Sequence, residues 1–300
     1  TTKSEVIMNA PKLYTTSTFY LLMGVVLLVS SCYPDETLDV PVTNPGTEPE
    51  TALDIYIEEN FTEEYGMAIR YRFVDRFVEP FERVTPPALE AVRPMLDFIE
   101  GFWIGPYLEV ENGEEFFRDH VPAEIVFLGG LIFNEDGTVT LGTADAGAQI
   151  TFTNVNAVDE NDADWVELQL QTVYHEFAHI VHQKYKLPQA FETISPNGYT
   201  SPGSWFNLPN AEALTRGFVS PYATSSPNED YAETVAFFLF DENFNETYLT
   251  DEPDCTDADC AARNEGRALI RQKVSAIEEH YEKFTGVILA DVRAAVQSRL

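Results

Sequence analysis

Residues 174–182 read Tyr-His-Glu-Phe-Ala-His-Ile-Val-His. His175 and His179 stand four residues apart, and four steps at 3.6 residues per turn bring both imidazoles to one face of a helix. Neutral imidazole is a good zinc ligand, so the pair can share one small cation. Glu176 lies off the ligand axis, where it can take a proton from a metal-bound water rather than hold the metal itself. Three of the chain's five histidines fall within these nine residues, a concentration that points to metal chemistry.

A catalytic zinc site needs three protein ligands and an open position. The metzincin pattern would require Gly at 182 and His at 185, where this chain has His182 and Tyr185. His182 lies close to the face of the pair but about 10 Å along the axis from His175, too far to share its metal. A packing or hydrogen-bonding role beside the ligands suits it better. The stronger third ligand lies downstream, where residues from Asn228 read as a helix with Ala232, Val235, Ala236 and Leu239 inward. Glu229 and Glu233 are then one turn apart on one face. Glu229 can reach the metal, while Glu233 can accept a hydrogen bond from a ligand imidazole and fix its tautomer. The competing explanation is the ordinary enrichment of acids at a helix N-terminus. Glu212, in Asn210-Ala211-Glu212-Ala213, is the reserve ligand should Glu229 point away.

These helices need a framework. Residues 67–73 alternate like a half-buried strand, and Pro86 and Pro87 open a helix carrying Leu89, Val92, Leu96, Phe98 and Ile99. Residues 123–128, 138–141 and 149–155 read as further strands, with Gly137, Gly142 and Gly147 at the turns. Asp162 or Asp164 can cap the histidine helix, which runs to about Lys186, before Pro188. Residues 195–207 form a long connection with Tyr199, Trp205 and Phe206 at its tip, either a cleft rim or a surface loop with a buried tryptophan. Residues 261–300 read as two amphipathic helices broken near Thr285-Gly286. The order predicts an α+β fold, a small mixed sheet followed by a helical half, with the catalytic domain over residues 53–300.

The formal net charge is −32, from 18 basic and 50 acidic residues. Such a field repels phosphate backbones, which excludes nucleic acid as a partner. Residues 19–29 are apolar but too short to span a bilayer comfortably, and Val29-Ser30-Ser31-Cys32 follows. This resembles a bacterial lipoprotein signal peptide over residues 1–31, with Cys32 acylated and the membrane reached through that lipid alone. Residues 32–52, rich in proline and acids, read as a tether. Acids soon after the cysteine resemble the surface-export signal of Bacteroidetes-type lipoproteins, placing the domain outside the outer membrane. Cys255 and Cys260 are expected to form a short-loop disulfide. The acidic stretches 159–162 and 251–259 lack the glycine and terminal glutamate of an EF-hand and read as solvated loops rather than calcium sites.

Asn228-Glu229-x-x-x-Glu233 is similar to the Asn-Glu-x-x-x-Asp element of thermolysin-like gluzincins, with Glu in place of the last Asp. Tyr222, seven residues before Glu229, resembles the active-site tyrosine spacing of anthrax lethal factor and its relatives. Together with the acylated N-terminus, these motifs look like the zinc metallopeptidase lipoproteins found beside SusC/SusD-type nutrient importers. The resemblance implies a zincin, gluzincin-like fold and Zn2+ held by His175, His179 and Glu229. It also implies Glu176 as general base and Tyr222 at the oxyanion, with Glu233 and His182 supporting the ligands. It further implies a peptide or protein substrate, with importer components as partners. Two functions follow: a surface peptidase using a Glu-activated, zinc-bound water, or an accessory cargo-binding lipoprotein that keeps the metal site with little turnover.

Overall fold

The computed structural model of the chain describes residues 51–73, 83–133, 139–140, 142–145 and 149–300. The expected signal peptide, most of the tether and Cys32 lie outside the described residues. The described part falls in one compact unit, Glu50–Leu300.

The unit opens on α1 (Ala52–Ile57), which continues through a π-type turn at Glu58–Thr62 to Glu63–Tyr65. Thr51 and Asp54 form a capping box at its start, each side chain satisfying the other's backbone N–H. Strand β1 (Ala68–Arg70) follows; the alternation read from the sequence holds, with Met67, Ile69 and Tyr71 buried and Arg70 and Arg72 exposed. Helix α2 (Leu89–Ile99) runs on through a second π-type turn (Glu100–Ile104) into Gly105–Leu108, and α3 spans Gly113–His120. Then come β2 (Glu124–Phe127), β3 (Ile132–Phe133), β4 (Val139–Thr140), β5 (Gly142–Asp145) and β6 (Gln149–Phe152).

The main sheet has the order β1-β2-β6-β5. β1, β2 and β6 are parallel, with Ile69 opposite Ile125 and Ile125 opposite Ile150, while β5 closes the sheet antiparallel to β6. β3 and β4 form a separate antiparallel pair. β2 and β6 are buried on both faces, which explains the apolar run 125–127 in β2 and the burial of Thr151 between Ile150 and Phe152 in β6. Val126, Leu128 and Ile132 form a small second cluster apart from the main core.

The helical half starts with α4 (Ala163–Tyr185), whose N-cap is Asp162 rather than Asp164. The Asp162 carboxylate accepts from the backbone N–H of Asp164 and Trp165. After α5 (Gln189–Glu192) and α6 (Asn210–Thr215), a 3-10 turn at Tyr222–Ser225 leads into α7 (Pro227–Phe240). Helix α8 (Ala258–Thr285) stops at Gly286, whose φ of 71° is the left-handed conformation that ends a helix, and α9 (Leu289–Gln297) follows. Arg293 and Gln297 of α9 donate to the last carbonyls of α7 and to Asp241 just beyond it, so α9 caps that helix from outside. Cys255 and Cys260 form a disulfide ahead of most of α8, with Cα atoms 5.4 Å apart.

The core runs from the sheet through to α7, α8 and α9, and an aromatic part of it lies between the continuation of α2, α3 and one face of α4. Phe177 packs among Trp103, Tyr107, Phe116 and Phe117 with ring centroids 5.3–5.8 Å apart. Tyr174 donates its hydroxyl to the Phe102 carbonyl at 2.6 Å. Burying Tyr174, Phe177 and Val181 on this side fixes the helix rotation and turns His175 and His179 the other way. Among the described residues no helix is long and apolar enough to cross a membrane.

Candidate metal centre

Two helices build the site. α4 supplies His175 and His179, whose ring centroids are 4.7 Å apart. α7 supplies Glu229 from its first turn, where the Ser226 hydroxyl caps the helix by accepting the Glu229 N–H at 3.3 Å. The rotation of α7 is set by burial on almost every side, against α4, α8 and α9. His175 Nε2, His179 Nε2 and Glu229 Oε2 form a small triangle with sides of 3.0, 3.1 and 3.2 Å. Among the described residues no other group of three His, Cys, Asp or Glu brings its ligand atoms together in this way. Glu212 is at α6, paired with Arg216 at the surface, so Glu229 rather than the reserve ligand faces the histidines.

Each histidine is held at its outer nitrogen. His175 Nδ1 lies 2.8 Å from Glu233 Oε1, so Nδ1–H donates to the carboxylate and Nε2 is left for the centre. His179 Nδ1 lies 2.8 Å from His182 Nε2, so the last turn of α4 does for His179 what Glu233 does for His175. Burial and the neighbouring His179 lower the His182 pKa to about 4, which keeps its ring a neutral acceptor.

Charge in the site is finely opposed. Burial alone would lower the His175 pKa, but the Glu229 and Glu233 carboxylates outweigh it and raise it to about 10. Burial would raise that of Glu229, yet His175 and His179 hold it well below the usual carboxylate range. Burial pushes the Glu176 carboxyl up against the opposing pull of the two histidines, the direction that suits a proton acceptor. Tyr222 sits with its ring 5.8 Å from that of His175, and burial with the Glu229 carboxylate raises its pKa, keeping the phenol protonated.

Three residues of the site carry no motif. Ser220 donates to Glu233 Oε2 at 2.5 Å, and the Gln171 amide approaches Oε1 at 3.4 Å. Gln171 precedes His175 by one turn, so extending the helical face backwards would have found it; nothing local marks Ser220. Trp205 packs edge-to-face with Tyr222, their ring centroids 4.9 Å apart. That contact, with the Tyr199 hydroxyl on Asp230 and the Thr200 N–H on the Thr224 carbonyl, binds residues 195–207 beside the site. The connection is therefore a wall next to Tyr222, with Phe206 left 58% exposed. The acidic stretches have other employment: Glu252 pairs with Arg263 and Arg267, and Asp257 caps α8.

The donor set fits zinc. Ligand atoms about 2.0–2.2 Å from a tetrahedral ion stand about 3.3–3.6 Å from one another, so the triangle needs to open only slightly. Two nitrogens and one carboxylate oxygen with a fourth side free are the ligand complement of a catalytic zinc.

Similarity to known proteins agrees with this. A solved structure from Bacteroides caccae, described as a "putative zinc-binding metallo-peptidase", superposes with a TM-score of 0.65 at 28% identity. The alignment covers 82% of this chain and 90% of that one. No curated protein matches. Residues 46–289 match the profile of a family described as "Putative zinc-binding metallo-peptidase". That match contains both helices of the metal centre and the sheet before them, and the chain belongs to this zinc-binding metallopeptidase family.

Proposed function

We propose that this chain hydrolyses peptide bonds in the gluzincin manner, with Glu176 as general base and His175, His179 and Glu229 as the metal ligands. The observation that carries this is the compact triangle of two Nε2 atoms and Glu229 Oε2, with Glu176 on the same helix and in the electrostatic field of all three. A zinc ion held there supplies a Lewis acid that polarises the scissile carbonyl and eases deprotonation of water. Glu176 takes the proton from the attacking water and passes it to the leaving amine. The Tyr222 hydroxyl, protonated and beside the ligands, donates to the developing oxyanion. Among the described residues, strand β5 is the outer strand on the β6 side of the sheet and packs beside α4, so an extended substrate pairs with its outer edge. Strand β6 is flanked on both sides by β2 and β5 and so offers a substrate no edge.

The sequence around Cys32 supports a lipid-anchored, surface-exposed protein, and the resemblance carried by the motifs together supports work beside an importer of the SusC/SusD type; both belong to this proposal. The test is zinc content together with cleavage of a peptide library, comparing wild type, Glu229→Ala and Glu176→Gln. The expected result is about one zinc in wild type and in Glu176→Gln, its loss in Glu229→Ala, and cleavage by wild type alone. Full zinc in Glu229→Ala would refute the ligand assignment. Zinc without cleavage of any peptide would favour the accessory cargo-binding role instead.

A further inference from the structure

We infer that Ser220 is a positioning residue that couples the carboxylate holding His175 to the turn carrying Tyr222. The inference rests on the metal reading above and adds a residue to it. Ser220 is buried, with 9% of its surface exposed. Its hydroxyl makes two bonds in opposite senses. The Ala223 N–H donates to Ser220 Oγ at 3.0 Å, and Ser220 Oγ lies 2.5 Å from Glu233 Oε2. An ionised carboxylate only accepts, so the single hydroxyl proton points at Glu233, in a short, charge-assisted bond.

Glu233 is itself buried, with 1% exposure, and its other oxygen receives His175 Nδ1–H at 2.8 Å. Without Ser220, Oε2 loses its close donor and the carboxylate is free to turn about its last bond. The His175 ring would then lose its fixed direction toward the centre. On the other side, Ala223 follows Tyr222 in the 3-10 turn Tyr222–Ser225, and its N–H donates to Ser220 Oγ. The same hydroxyl thus orients a ligand from behind and sets the phenol that faces it. The path from Ala223 N–H through Ser220 and Glu233 to His175 is unbroken and buried, and each link is a hydrogen bond of 3.0 Å or less.

The experiment measures zinc affinity by chelator competition for wild type, Ser220→Ala, Ser220→Thr, Tyr222→Phe and the Ser220→Ala/Tyr222→Phe double variant, with the melting of each metal-free protein. On a cleaved peptide, kcat and KM are read at saturating zinc. Ser220→Ala is expected to bind zinc more weakly, by up to the about 10-fold that marks the low end for losing a direct partner of a ligand. Its kcat should fall at unchanged KM, and the fall should shrink in the Tyr222→Phe background. Ser220→Thr, which keeps the hydroxyl, should restore affinity. A threonine variant as weak as alanine would show that volume matters rather than the hydroxyl, and would overturn the inference. So would strictly additive effects with Tyr222→Phe, or wild-type zinc affinity in Ser220→Ala. Absence of zinc from wild type itself would bring down the metal reading and this inference together.

Discussion

At the scale of single residues, the site is a set of protons given fixed positions. His175 and His179 were legible because a four-residue spacing is a geometric statement once a helix is granted. Glu229 and Glu233 were legible for the same reason, and only their approach to the histidines had to come from the fold. Ser220 was not legible: one serine in a loop has no periodicity, and its role exists only because α7 brings Glu233 to it. His182 is the intermediate case, a residue whose partner is the outer nitrogen of His179. Replacing it with Phe keeps the edge-on packing against Tyr231 but removes the acceptor, so zinc affinity should drop about 10-fold or more. Unchanged affinity in a chelator titration would mean that His179 needs no such support. Away from the site, His120 donates Nδ1–H to the Phe116 carbonyl, while its buried Nε2 has no partner among the described residues, and burial lowers its pKa below the ordinary 6.5. The unfolded chain therefore takes the proton first as pH falls. Stability that is complete above 6.5 should be lost progressively below it, toward the lower folded value. His120→Phe should lessen this part of the slope in denaturant melts, leaving what His182 and His280, both shifted the same way, contribute.

At the scale of elements, what was readable is what is local. The alternation in β1, the cap and stop of α4, and the break at Gly286 all follow from neighbours a few residues apart. Strand β5 was not readable: Gly142-Thr143-Ala144-Asp145 reads as a turn, and it becomes a strand only by pairing with β6. Helix α1 and the π-type turns within α1 and α2 were missed as well, since such turns depend on packing rather than on residue preference. Another long-range demand falls on Gly266 in α8, where a Cβ would overlap the backbone carbonyl of Leu214 at the end of α6. No side-chain adjustment relieves a clash with backbone, so the two helices would have to separate. Gly266→Ala should cost about 1–3 kcal/mol, despite the better helix propensity of alanine, and should lower the melting temperature by about 2–10 °C. A rise in melting temperature would show that α6 yields freely.

At the scale of the whole molecule, the class of fold was legible from the order of strands and helices, but the bonds that join its parts were not. The chief of these is the pair Lys273–Asp230, with Nζ 2.8 Å from Oδ2 and neither side chain exposed. Lys273 lies in α8 and Asp230 in α7, next to Glu229. Lys273 Nζ also donates to the Gly217 carbonyl at 2.6 Å and sits 3.7 Å from the centre of the Phe218 ring. Tyr199, from the wall beside the site, donates to the same Asp230 carboxylate at 2.9 Å. One buried charge pair thus joins the long C-terminal helix, the ligand helix and the wall. Neither charge can reach water, so removing one strands the other. Lys273→Met should cost about 3–5 kcal/mol, the usual penalty for an uncompensated buried charge. In a chain of this size that lowers melting by roughly 6–20 °C. Lys273→Met/Asp230→Leu removes both charges and should recover most of the loss, because apolar replacement of a whole buried pair is often neutral. Melting of the metal-free proteins separates this effect from any change in zinc binding through Glu229. If the double variant were as unstable as the single one, the contribution would lie in the hydrogen bonds to Gly217 and Tyr199 rather than in charge compensation, and the pair would be a scaffold of polar contacts.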